Sequence, residues 1–188
     1  MATFIVGGVE NIEYAPASLT GVIAEGTWKD LPKIAPGTVQ FTKSVGTKTT
    51  IVPEQDDRAF ISFFAPGDGD TLAIGLLEQN PEIVQVLFDA TYDEATSLLT
   101  YGAKEKIANL AFRITTRPLV DGRKWIITIY NTEVQTTYAN NLTKDQVEQL
   151  LLTATLGTYR LAATTKDLVY TKQLVLTDGT VVDSSATV

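Results

Sequence analysis

Acids supply almost all of the candidate chemistry in this chain. Glu54, Asp56 and Asp57 crowd the end of the polar stretch Val45–Arg58, VGTKTTIVPEQDDR. A pair of carboxylates hydrolyses a sugar when burial raises the pKa of one and its partner stands roughly 5–10 Å away. Three acids in one polar connection read more simply as a solvated surface. They read also as a contact between subunits, with Lys48, Glu54, Asp56, Asp57 and Arg58 meeting the charges of a neighbour. Asp68 and Asp70, in PGDGD, match the opening of a calcium loop, since that hard cation wants several oxygens. The later bidentate glutamate of such a loop is missing, so a solvated turn is the plainer reading. Gly7-Gly8, Gly67/Gly69 and Gly102 precede no helix in a phosphate-loop pattern. Trp28, Trp125, Tyr130, Tyr138 and Tyr159 are candidates for a sugar-stacking platform, although aromatics on strands more often serve a core or an interface.

Two absences narrow the chemistry further. The chain has no cysteine and no histidine. Thiol nucleophiles, disulfides, zinc thiolates and imidazole general bases are therefore all excluded. Only carboxylate, Lys, Tyr or Thr chemistry remains, and the expectation is a protein that is no enzyme, with no catalytic residue, metal or cofactor. The formal net charge is −7, with an isoelectric point near 4.6. A groove that grips nucleic-acid phosphates normally needs a basic surface. No apolar run approaches the ~18 residues of a membrane span, and MATFIVGGVENIEY lacks the basic start and sustained apolar stretch of a secretory signal.

The elements that would position these residues are mostly strands. Twenty-eight threonines, with many Val and Ile, make a β-favouring composition. The best-specified helix follows the strand Thr71–Leu76. Asn80 offers a capping oxygen, Pro81 sits where a missing N–H costs nothing, and Glu82 faces the positive end of the dipole. Ile83, Val84, Leu87 and Phe88 then form one apolar stripe, which predicts a core helix over about 80–90. Strands are expected at 38–44, 59–64, 109–117, 123–135, 150–161 and 168–176, with short ones possible at 3–6, 18–24 and 180–182. Asp121-Gly122 and Asp178-Gly179 suit tight turns. Thr143-Lys144-Asp145-Gln146 has capping-box spacing, which predicts a helical turn over 144–149. Tyr92–Glu105 reads as a loop. The predicted fold is mainly β, an antiparallel barrel or sandwich with one core helix and a long inter-strand loop at about 45–58. One domain spans 1–188, with an extended N-terminal segment at 1–15 and a C-terminal tail at 184–188.

The order of these elements resembles the major tail tube proteins of bacteriophages and the inner tubes of contractile injection systems. A Gly-rich start leads to Gly26-Thr27-Trp28 and Pro36-Gly37-Thr38-Val39, then to the polar excursion 45–58. The turn at 66–70, the strand Leu72–Leu76, the helix Pro81–Ala90 and a tryptophan-centred strand pair (110–117 and 124–135) follow. Thr143–Gln146 and a Thr/Leu-rich strand complete the pattern.

The resemblance implies a structural virion protein that self-assembles into stacked hexameric rings, forming the tail tube. Its partners would be copies of itself, the terminator, tape-measure and baseplate or tip proteins, and double-stranded DNA that passes without specific binding. It would reside in the virion tail after assembly in the host bacterial cytoplasm, with no membrane insertion. The loop 45–58 would reach the adjacent ring and order only on assembly. Roughly 2–15 and 168–183 would add inter-ring contacts. A negative lumen repels DNA, and acids near 54–57 and 68–70 are expected to contribute to it. Another ring-forming virion protein, such as a tail terminator or head–tail connector, and a carbohydrate-binding or adhesion sandwich stay open as alternatives.

Overall fold

One long strand, Arg123–Tyr138, is shared by two wings of a single sheet. The computed structural model describes residues 8–51, 54, 61–65, 67–139 and 147–182. Among them the strands are β1 (Val9–Pro16), β2 (Lys29–Asp30), β3 (Gln40–Thr42), β4 (Thr47–Ile51), β5 (Ile61–Ala65), β6 (Thr71–Leu76), β7 (Ala90–Asp93), β8 (Leu98–Tyr101), β9 (Ala108–Thr116), β10 (Arg123–Tyr138), β11 (Leu150–Leu156) and β12 (Tyr170–Leu176). The helix is α1 (Pro81–Leu87). The main sheet runs β2-β1-β9-β10-β11-β6-β3, with β12 also on β10. Every strand pairing in it is antiparallel. The fold is mainly β and sandwich-like, with no closed barrel among the described residues.

Strand β10 serves two neighbours on one edge because its register slips. Arg123–Ile129 pair with β12, and Thr132–Tyr138 pair with β11. On the other edge β9 follows both halves, with a shift between Ile129 and Thr132. The extra residue inverts the alternation. Ile127 and Ile129 face the core before it, and Thr132 and Val134 face the core after it. Without the bulge, one half would turn its apolar side to water.

The core lies on one side of this sheet. Ile12, Phe112, Ile114, Ile129, Leu150, Leu152, Leu72 and Ile74 bury there against Ile83, Val84 and Leu87 of α1. Asn80 Oδ1 accepts the Glu82 N–H at 3.0 Å. The Lys29–Glu82 ion pair ties β2 to the helix start. The helix is shorter than the predicted 80–90. Phe88 takes extended geometry as its C-cap, half-buried, and Ala90 already opens β7. Lys106 Nζ donates to Gln85 O at 2.7 Å, satisfying a carbonyl that has no further turn to meet.

Three sequence readings are revised. Tyr92–Glu105 is no plain loop, because β7 and β8 form a hairpin there. Asp93 makes that turn, accepting the Ala95 N–H at 3.0 Å and the Thr96 hydroxyl at 2.7 Å. Residues 18–24 form an irregular cover in place of a strand. Within the expected loop 45–58, Thr47–Ile51 is strand β4, paired with β5 in the single chain. The expected strand at 3–6, residues 144–146 of the helical turn expected over 144–149, and the tail 184–188 lie outside the described residues, while 147–149 are irregular and lead straight into β11.

The cover over 17–28 lies on the sheet face opposite the core, where Ile126, Thr128 and Tyr130 are half-buried. Ser18 N–H donates to Tyr130 O at 2.7 Å. Gly21 has φ +70° and lies against Tyr159 with no room for a side chain. Arg113 clamps the cover. Its Nε and Nη2 reach the Glu13 carboxylate at 2.6 and 2.9 Å, its Nη1 reaches Glu25 at 2.7 Å, and its guanidinium lies 4.8 Å from the Trp28 ring centre.

Two stability predictions follow from these packings. Arg113→Met lowers stability in urea denaturation by about 2 kcal/mol, because it strands the mostly buried Glu13 carboxylate. The Thr136 hydroxyl is buried without a hydrogen-bond partner among the described residues. Thr136→Val, of nearly equal shape, raises stability by up to about 1 kcal/mol; a loss of that size would contradict the assignment.

Candidate assembly surface

Of the acids read from the sequence, Glu54, Asp68 and Asp70 are among the described residues. Asp70 is half-buried, and its Oδ1 accepts the Ser44 N–H at 3.0 Å. It therefore staples the chain between β3 and β4 to the chain entering β6. Asp68 is exposed at the adjoining turn. Among the described residues no three acids gather where a cation could sit. Lys48 is exposed on β4 and Glu54 is exposed, while Asp56, Asp57 and Arg58 lie outside the described residues.

The aromatic candidates do not form one platform. Trp28 lies under Arg113, and Tyr130 packs on Tyr159 with ring centres 4.6 Å apart. Trp28 and Tyr130 share one shallow cleft, but Tyr138 lies elsewhere, stacked on Phe88 at 5.7 Å. Burial, then a hydrogen bond with Tyr101, pushes the Tyr138 hydroxyl up to about 12. These rings serve packing.

Exposed apolar side chains gather on the hairpin of β4 and β5. It continues the β3–β6 ladder past the Ser44–Asp70 staple as an arm. Gly46 passes so close to Ala65 and Phe64 that a side chain would not fit at the joint. Among the described residues the two strands pair with each other and with no other strand, and all ten of their residues are exposed. Register assigns the faces. Thr49, Ile51, Ile61 and Phe63 share one side, and Lys48, Thr50, Ser62 and Phe64 share the other. Ile51, Ile61, Phe63 and Phe64 are exposed by 49%, 42%, 54% and 70%. An isolated two-stranded hairpin is marginal in water, and burying each such side chain against a partner is worth about 1.5–3 kcal/mol.

Phe63 and Phe64, on the strand expected at 59–64, thus project into solvent. The alternation in Thr49-Thr50-Ile51 and Ile61-Ser62-Phe63 is the signal for a hairpin here, masked by the polar residues around it. A second opening lies along β12. Leu176 N–H donates to Thr180 O and Val182 N–H donates to Leu174 O, so the even-numbered backbone groups point away from β10. At Tyr170 and Lys172 no strand covers that edge among the described residues.

Asp70→Ala is expected to free the arm at its base. Amide exchange over 47–51 and 61–65 accelerates while exchange in β9 and β10 stays unchanged, as hydrogen-exchange mass spectrometry would read. Compared with models of known protein families and with curated protein sequences, the chain matches none.

Proposed function

We propose that this chain is a structural virion subunit, a tail tube protein that self-assembles into stacked rings around a channel for double-stranded DNA. The exposed amphipathic arm of β4 and β5 carries this reading. Its apolar face has no cover among the described residues, and in this reading a neighbouring copy supplies one. The uncovered β12 edge supports the same reading, since an open edge is a liability in a monomer and a joining device in a ring. In this proposal six subunits close each ring, and the arm, with Lys48 and Glu54, contacts the next ring. Assembly takes place in the host bacterial cytoplasm, and the other tail proteins close the ends. The protein is a scaffold and not a catalyst. The net charge of −7, multiplied around each ring, opposes adhesion of DNA.

The test pairs negative-stain electron microscopy with a double variant, Ile61→Ser with Phe63→Ser. The wild-type protein, concentrated, is expected to form stacked rings or hollow tubes. The variant stays dispersed, with thermal stability within about 0.5 kcal/mol of wild type because both side chains are already exposed. Single rings that never stack point to a terminator or connector. A monomer that binds glycans points to an adhesion module, and tubes that form regardless of the variant remove the arm from the assembly contact.

A further inference from the structure

The main sheet has an uncovered patch on the side opposite its core. Over the first half of β10 that side lies under the 17–28 cover. Over the second half no such cover is present among the described residues, and register sorts the side chains into rows. Asn109, Glu133, Thr155, Thr71 and Thr42 lie side by side across β9, β10, β11, β6 and β3. Gln135, Thr153, Ala73 and Gln40 form the next row. All are exposed or half-buried. At about 4.8 Å between strands, five strands make a patch roughly 20 Å wide.

The chemistry of this patch is unusual for a protein surface. A soluble surface is typically about 25–35% charged, with both signs mixed, yet Glu133 is the single charge in the two rows, and no Lys or Arg is present. Without a cation the patch has no grip on phosphates. Without a large apolar side chain it lacks the anchors of a protein interface. Hydroxyls and amides hold water over it instead. Asp70 is a poorer candidate for a channel wall, since its carboxylate is half-buried and held by the Ser44 N–H.

We infer that this Thr/Gln face of β10, β11 and β6 is the channel wall that the DNA passes, with Glu133 as its only charge. The inference rests on the tube reading above. A duplex confined in a channel meets its wall at high local concentration, so each cation there would be a sticking point, whereas a hydrated neutral wall with a sparse negative ring lets a polyanion slide.

A chain without cysteine makes the test direct. Thr153→Cys introduces the only thiol, and tubes of this variant are treated with a small maleimide or with one carried on a long poly(ethylene glycol) chain. Dispersed subunits should react with both. In tubes the small reagent should still react, and labelling by the long-chain reagent should be lost. Labelling of tubes by both reagents would put the face on the outside, and labelling by neither would make it a contact; either result overturns the inference while leaving the tube standing. Gln135→Cys gives the same readout from the same row if Thr153→Cys does not assemble. Failure of the wild-type protein to form tubes overturns the tube reading itself, and this inference with it.

Discussion

The register shift in β10 between Ile129 and Thr132 is the constraint on which the rest of the structure depends. Sixteen residues of one strand would otherwise present a single alternation to a single pair of neighbours. The slip lets the strand change partners from β12 to β11 without turning its apolar residues outward. Both wings then feed one hydrophobic cluster, from Ile127 and Ile129 on one half to Val134, Leu150 and Leu152 on the other. The wing through β11 and β6 carries the arm, and the wing through β12 carries the open edge.

The two halves also part company on the opposite face. Over the first half, Arg113 and the 17–28 cover bury a set of mixed side chains, including Ile126 and Tyr130. Over the second half the side chains of the two rows are polar or small, and they stay exposed or half-buried among the described residues. The difference is written residue by residue. Ile126, Thr128 and Tyr130 need a lid, while Glu133, Gln135 and Thr153 do not.

Much of this fold was legible in the sequence, because local rules decide the elements concerned. Asn80-Pro81-Glu82 specifies the helix start, and Ile83, Val84 and Leu87 specify its buried side. Asp121-Gly122 and Asp178-Gly179 make their turns with glycines at φ +75° and +88°. The helix end was less legible, because it is set by Lys106 reaching back from another segment. The arm was half visible. Its polar character was plain in Val45–Arg58, but its strands depend on pairing across a gap, and Phe63 reads as core when exposure is unknown. The bulge in β10 leaves no local mark, since it reflects which strands compete for that edge. For the candidate site, the acids 54–57 drew attention by charge, while the apolar residues of the arm, indistinguishable in type from core residues, did not.

The Ser44–Asp70 staple has a consequence for growth. The arm leaves the body from one joint; in the proposed tube each copy therefore gives a contact with its arm and receives one on a different surface. Passed from one ring to the next, such a donor–acceptor contact is head-to-tail. A tube built from it has two unlike ends, one showing arms and the other showing empty seats. Addition then proceeds at chemically distinct ends, and one kind of cap cannot serve both.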